Sequence, residues 1–239
     1  MLRVIYLMSL LALFLIPISL SALLPNHTRK RANIIIYRIL ARAFRIKVSI
    51  KGKISHKEPV MFVSNHMSYV DIMVLGASLP GSFVSKAEVK KWPLMGWIAS
   101  LSGCVFVSRK RSGTTNQIGD LEKAIDSGKN LILFPEGTTS DGKGVLPFKS
   151  SLFKIAEARD ITIQPVTITY THINGLPIQA NERVKIAWVG DAELMPHLNE
   201  FVNLGIVRAE VKIHEPLSVK GDRKQLAEAA HAVVADWKG

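Results

Sequence analysis

Residues 60–78 read Val-Met-Phe-Val-Ser-Asn-His-Met-Ser-Tyr-Val-Asp-Ile-Met-Val-Leu-Gly-Ala-Ser. Val60–Ser64 has the length and apolar, β-branched character of a buried strand, Ile72–Ser78 reads as a helix, and the polar residues between them form a turn. The same alternation runs through the rest of the chain. Strand-like runs recur at Val48–Lys51, Phe83–Lys86, Val105–Ser108, Leu131–Phe134, Thr162–Thr169, Val184–Val189 and Arg208–His214. Helices are expected over Val89–Leu101, Thr115–Ser127, Lys149–Arg159 and Lys224–Trp237, with Gly128-Lys129-Asn130 as a helix stop before a strand. Alternating strands and helices predict fold class α/β, a layered and largely buried sheet with helices on its faces. Sites in such sheets gather at the carboxyl ends of strands.

After the strand Val60–Ser64 come His66 and Asp71, five residues apart. On one ideal helix they would point about 140° away from each other. They meet if His66 lies on the turn and Asp71 in the first turn of the helix. The imidazole then abstracts a proton through one nitrogen while the carboxylate fixes its tautomer through the other. A second reading competes: Ser68-x-x-Asp71 before Ile-Met-Val-Leu has the form of a helix capping box, which by itself accounts for Asp71.

Two other strand ends carry chemistry. Leu131–Phe134 runs into Pro135-Glu136-Gly137-Thr138-Thr139-Ser140, and Gly137–Lys143 nearly fits a nucleotide-binding loop. Gly144 stands where that loop needs Ser or Thr, and Pro147 where its helix should begin, so a nucleotide site is disfavoured. Gly-flanked amides still suit an anion. Arg109 ends the strand that follows Gly103, and a guanidinium there suits a phosphate or carboxylate. Cys104, the one cysteine, lies in an apolar run and reads as core; alone it excludes a disulfide framework or multi-thiolate metal site.

The 239 residues are 48% hydrophobic and 21% charged, which excludes a disordered chain. The net charge is +12, yet eleven of the 31 basic residues and none of the 19 acidic ones fall in residues 1–57. The body that follows is nearly neutral, which excludes a nucleic-acid groove on it. Leu2–Leu24 carries one charge, Arg3, and at about 1.5 Å per residue is long enough for a hydrocarbon layer of about 30 Å. The alternative is a cleaved signal peptide. Arg29-Lys30-Arg31 follows, as behind an anchor whose C-terminal side is cytosolic. Within Arg31–Ile46, the spacing of Arg31, Arg38, Arg42 and Arg45 puts a basic stripe on one helix face, suited to an anionic leaflet at about 1 kcal/mol per cation. The expected division is therefore a membrane anchor and amphipathic helix over 1–46 and an α/β domain over 47–239.

In this order the segments resemble the glycerolipid acyltransferase family, above all its 1-acylglycerol-3-phosphate (lysophosphatidate) acyltransferases. The motifs are Asn65–Asp71 (His-x4-Asp), Gly103–Arg109, Phe134–Thr138 and Ile163–Val166. The resemblance implies transfer of a fatty acyl chain from a thioester of acyl-carrier protein or coenzyme A to the free hydroxyl of a lysolipid, at the cytosolic face of the inner membrane, with no cofactor or metal. It makes His66 the general base and Asp71 its orienter. Substrate contacts carry over to Arg109, Glu136, Gly137, Thr138, Asn65 and Ser68, and from less specific segments to Lys86 and Pro165. Family members commonly have arginine after Gly-Thr in the third motif, and this chain has Thr139. One expected phosphate ligand is thereby removed, and an acceptor such as lyso-ornithine lipid stands beside lysophosphatidate. Two other readings use the same dyad region: a lipid hydrolase that activates water, and a non-catalytic lipid-binding module.

Overall fold

A computed structural model describes residues 9, 14–92, 95–107, 114–159, 161–190, 192–218 and 221–236. The strands are β1 (Ile46–Lys51), β2 (Val60–Ser64), β3 (Ser82–Lys86), β4 (Val105–Val107), β5 (Leu131–Leu133), β6 (Thr162–Ile173), β7 (Leu176–Pro177) and β8 (Val207–Ile213). The helices are α1 (residues 14–21), α2 (Asn26–Ala43), α3 (Val70–Gly76), α4 (Met95–Leu101), α5 (Thr114–Asp126), α6 (Lys154–Ala158), α7 (Ala180–Arg183), α8 (Leu194–Asn203) and α9 (Arg223–Ala235).

The sheet order is β1-β8-β6-β2-β5-β3-β4, with β7 paired to β6. β2 runs parallel to both β5 and β6, while β8 runs antiparallel to β6. Because side chains alternate along a strand, each central strand feeds two cores. Val60 and Phe62 of β2 face a core with Ile132, Val166 and Ile168 that is covered by Val70, Val74 and Leu75 of α3 and Phe201 of α8. Met61 and Val63 face the opposite core, with Leu131, Leu133 and Ile163 under Leu121 and Ile125 of α5 and Leu226, Ala230 and Val234 of α9. Helices thus cover both faces, as expected of an α/β layered domain. Strand order matters for the site: the turn leaving β2 lies between the end of β5 and the middle of β6.

The structure corrects several boundaries. Val184–Val189 is not a strand. Gln179 and Glu182 form a reciprocal capping box that opens α7, and the N–H groups of Lys185 and Ile186 bond back to the carbonyls of Glu182 and Arg183. Local turns satisfy that backbone, and the edge of β6 is taken by β8. The expected helix over Val89–Leu101 divides into a 3-10 turn, Ala87–Lys91, and α4, and Lys149–Arg159 into a 3-10 turn, Ser150–Phe153, and α6. β6 extends four residues past Thr169, to Ile173. Ser108 and Trp237, expected to end a strand and a helix, lie outside the described residues.

The N-terminal arm departs most from expectation. No helix among the described residues is long and apolar enough to cross a membrane. Most of Leu2–Phe14 lies outside the described residues, and the helical segment 14–21 ends in a turn before Pro25. Phe14 and Ile18, one turn apart, are buried against Ile36 and Tyr37 of α2 and Ala77 after α3. Ser21 Oγ lies 2.8 Å from Asn33 Oδ1, tying α1 to α2. The cations of α2 are partly spent on helix ends: Arg29 donates to Leu101 O (2.5 Å), Arg38 Nε to Ala77 O (3.0 Å) and Lys30 to Gly128 O (2.9 Å). Cations are favoured at these negative ends of the helix dipole. The exposed face of α2 is not a basic stripe set against an apolar face. Arg31, Ile35, Arg38, Ile39 and Arg42 share it, since their spacing returns to one side every three or four residues. Arg45 lies beyond the helix, with φ 57°.

Candidate active site

Asp71 opens α3 and is 1% exposed. Its Oδ2 accepts the backbone N–H groups of Met67 (2.6 Å) and Ser68 (2.9 Å), both in the turn before the N-cap position of the helix, Tyr69. Collecting them wraps residues 65–69 around the carboxylate and brings His66 Nδ1 to 2.9 Å from the same Oδ2. One carboxylate oxygen thus gathers two backbone N–H groups of the turn and the imidazole, while the N-cap position of α3, Tyr69, has no side-chain cap. Because an ionised carboxylate only accepts, Nδ1 carries the proton and Nε2 presents its lone pair. Nε2 makes no hydrogen bond among the described residues. The His66 side chain is 17% exposed. Its ring is stacked 3.9 Å from that of Phe134 at an interplanar angle of 14°, and Phe134 stacks in turn on Phe83.

Glu136 holds the turn from the β5 side. Its Oε1 accepts His66 N (2.7 Å) and its Oε2 accepts Leu146 N (3.1 Å), while Ser140 N donates to His66 O (2.8 Å). Both backbone polar groups of His66 are thus bonded to the loop after β5, and both oxygens of Glu136 are committed to backbone. Burial pushes the Glu136 carboxyl up to about 7, against the lowering effect of its two N–H donors and with added repulsion from Asp71. The fold therefore takes up a proton between the ordinary value of 4.5 and about 7. This contributes stability that is complete below 4.5 and is lost as pH rises through about 7. Glu136→Gln is expected to remove that part of the pH dependence of the thermal midpoint between pH 5 and 8. It should also cut turnover by about 10–100-fold, since one N–H loses its acceptor and the His66 turn loosens. An unchanged pH dependence of melting would refute the first expectation, and unchanged turnover the second.

Asn65 clips the turn to β6: its Oδ1 accepts Ile168 N (2.8 Å) and its Nδ2 donates to Ile168 O (3.0 Å). Ser68 is fully buried, and its Oγ accepts Val70 N (3.4 Å) within the same turn. Gly137 has φ 69°, a left-handed backbone that suits glycine, and its N–H closes a turn on Phe134 O (3.0 Å). Thr138 is exposed beside it. Thr139 donates its hydroxyl to Trp188 O, and Trp188 N donates to Met67 O (2.9 Å), so residues 184–190 bridge the two site loops. Lys86 is exposed at the end of β3. Pro165 is buried in β6 opposite Val63, and its carbonyl accepts His214 N (3.0 Å). Arg109 lies outside the described residues. Burial pushes the Cys104 thiol up to about 12, against a backbone hydrogen bond with Ser85 that lowers it, so no thiolate nucleophile is available there at neutral pH.

Sequence reasoning missed two groups of this site. Phe134 opens the third motif without a role assigned to it there, and its ring stacks on the imidazole of His66. Tyr170, on β6, donates its hydroxyl to Asp71 Oδ1 at 2.7 Å. The only sequence signal for it was period-two alternation, which puts it on the face of Val166 and Ile168. The arrangement as a whole is a tethered imidazole with one exposed edge and a buried carboxylate behind it, suited to taking a proton from a hydroxyl.

Comparisons with known proteins bear on which hydroxyl. A family model described as acyltransferase matches residues 45–169. The chain is 40% identical over 228 residues to a lyso-ornithine lipid O-acyltransferase of Brucella abortus, covering 91% of this chain and 85% of that protein. Against a 1-acyl-sn-glycerol-3-phosphate acyltransferase of Neisseria meningitidis the identity is 32% over 148 residues, covering 60% of this chain and 57% of that one. The crystal structure of the 1-acyl-sn-glycerophosphate acyltransferase of Thermotoga maritima superposes with a TM-score of 0.63 at 22% identity, covering 98% of this chain and 95% of that one. That likeness shows the shared fold.

Proposed function

The chain belongs to the acyltransferase family, and from that membership and the His66–Asp71 pair we propose that it esterifies the free hydroxyl of lyso-ornithine lipid with a fatty acyl chain from a thioester. The single observation that carries the chemistry is the 2.9 Å contact between His66 Nδ1 and the buried Asp71 carboxylate, which leaves Nε2 as the base. His66 Nε2 takes the proton of the acceptor hydroxyl as its oxygen attacks the thioester carbonyl carbon. The tetrahedral oxyanion collapses, the carbon–sulfur bond breaks, and the thiolate leaves and recovers a proton from the imidazolium. A thiol of pKa near 8.5 needs little acid assistance, so one histidine serves both directions. Asp71 holds the imidazolium by charge while it exists.

Acceptor choice rests on different support. From the sequence alone 1-acyl-glycerol 3-phosphate comes first and lyso-ornithine lipid second, and the names of the relatives support the second. The Brucella abortus protein and one from Rhodobacter capsulatus, 36% identical over 215 residues, are both named lyso-ornithine lipid O-acyltransferases. An acceptor whose head group is an amino acid needs no phosphate clamp, consistent with Thr139 giving its hydroxyl to Trp188 O. Acyl-carrier protein and coenzyme A thioesters both fit as donor. Membrane work is supported by the outward side of the N-terminal helices, where Ile16, Leu20, Leu23 (82% exposed), Ile35 and Ile39 are exposed. Arg31 and Arg42 sit on the same side of α2. Apolar groups flanked by arginines suit a helix lying in the headgroup layer.

The test offers the purified protein one labelled acyl thioester with lyso-ornithine lipid, 1-acyl-glycerol 3-phosphate and glycerol 3-phosphate in parallel. Label on lyso-ornithine lipid is expected, with kcat/KM at least about tenfold above the phosphate acceptors, a difference of about 1.4 kcal/mol. Preference for 1-acyl-glycerol 3-phosphate would overturn the acceptor. Label found only as free fatty acid would make the protein a hydrolase, and no product with any thioester would leave a lipid-binding module.

A further inference from the structure

The family match ends at residue 169, and β6 continues beyond it. Its next residue is Tyr170, which is 9% exposed, with its ring in the core under α3. A buried tyrosine must place its hydroxyl on some partner, and a backbone carbonyl usually suffices. Here the partner is Asp71 Oδ1 at 2.7 Å, the oxygen of the dyad carboxylate that faces away from His66.

Two features place that hydroxyl. Asn65 hydrogen-bonds both backbone groups of Ile168, which fixes how far β6 is advanced relative to the turn carrying His66. Two residues on, and on the same side of the strand, Tyr170 then reaches the carboxylate. Immediately afterwards the ladder with β8 slips: Tyr170 pairs with Ala209 but His172 with Arg208, leaving Thr171 as the extra residue. Bulges of this kind locally redirect side chains and strand path. Thr171 and His172 are accordingly only partly buried, and Ile173 returns to the core that holds Tyr170.

We propose that Tyr170 is a positioning residue of the acyl transfer, holding Asp71 Oδ1 so that Oδ2 faces His66 Nδ1 and drawing off part of the carboxylate's charge. The proposal rests on the acid–base reading given above. Asp71 Oδ2 already accepts three donors, so the tyrosine is the group that fixes the other oxygen. Without it, Oδ1 is buried with no donor, and the carboxylate is free to turn about its Cβ–Cγ bond. Burial, reinforced by the Asp71 charge, holds the phenol well above its ordinary range, so it stays a donor throughout the working pH range. The other titratable groups near Asp71 are His66, Glu136 and Tyr69. All three are common to the wild type and the variant below, so a difference between the two profiles belongs to Tyr170.

Tyr170→Phe deletes one oxygen and keeps the ring. The expected result is a fall in kcat of about tenfold, the scale of one hydrogen bond to a charged group, with KM for donor and acceptor within about twofold. The acid limb of the kcat/KM profile should move to higher pH, because a carboxylate with one donor fewer holds the imidazolium more tightly. In a His66→Ala background the same substitution should change the residual kcat by less than about twofold, since the group that Tyr170 positions is gone. An unmoved acid limb with unchanged kcat, or an undiminished effect in the His66→Ala background, overturns the proposal. A lowered melting temperature with normal kcat per folded molecule overturns it too, making Tyr170 a core residue only. His66→Ala is run alongside: activity retained there removes the acid–base reading itself, whereas activity lost there with an unaltered Tyr170→Phe removes Tyr170 alone.

Discussion

His66→Ala is expected to lower acyl transfer by about 10²–10⁴-fold, the range supplied by a positioned general base, while leaving the fold intact. The structure says why the two effects separate. What holds the turn is the backbone of residue 66, through its N–H on Glu136 and its C=O from Ser140, and alanine keeps both bonds. Among the described residues the imidazole hydrogen-bonds the Asp71 oxygen and stacks on the face of Phe134. Losing it leaves Oδ2 with its two backbone donors from Met67 and Ser68. The variant should therefore melt within a few degrees of the parent and bind substrates with little change in KM. Transfer of labelled acyl groups, normalised to folded protein, is the measurement. Turnover near that of the parent would remove His66 from the mechanism.

Asp71→Asn isolates the charge from the geometry, and its expected loss is also about 10²–10⁴-fold in kcat. The amide can seat its oxygen where Oδ2 was, accepting from His66 Nδ1 and the N–H groups of Met67 and Ser68. Its nitrogen then faces Tyr170, whose hydroxyl turns from donor to acceptor. Every hydrogen bond is retained and the turn keeps its shape. What disappears is the negative charge that stabilises the imidazolium in the transition state. Asp71→Ala is the contrast: it strips the acceptor from two backbone N–H groups, at about 1–3 kcal/mol for each one left buried and unpaired, and should lower the melting temperature markedly. Should Asp71→Asn turn over at the parental rate with an unaltered pH profile, Asp71 braces the turn before α3 and nothing more.

How much of this was legible beforehand differs residue by residue. The strands around the site were readable because β2 and β5 are buried on both faces and so appear as short unbroken apolar runs between polar turns. Val184–Val189 has the same apolar, β-branched look, and there the reading failed. Only its middle is buried, Ile186 fully and Ala187 nearly so, while Val184 and Val189 are exposed and the capping box of Gln179 and Glu182 commits the backbone to turns. The arm showed a similar ambiguity. Apolar length suggests a span, yet Phe14 and Ile18 spend theirs on the body of the domain. Glu136 was read as an acceptor contact from its motif. That it braces the His66 backbone was not visible in the sequence, since 70 residues separate them.

Interactions within a few residues lay within reach of the sequence, which offered the meeting of His66 with Asp71 as one of two readings of the segment. His66 reaching Asp71, Ser68 and Met67 donating to the same carboxylate, and Gly137 turning the chain all depend on short segments whose torsions and hydrogen-bonding groups are written in neighbouring residues. Tertiary structure alone decided what surrounds that turn. Placing β5 and β6 on either side of β2 delivers Phe134 and Glu136 from one flank and Tyr170, 99 residues downstream of Asp71, from the other. The reason is energetic. A helix start satisfies its own donors locally, whereas strand order is set by burying both faces of the whole sheet at once, a sum over distant residues that no single segment carries.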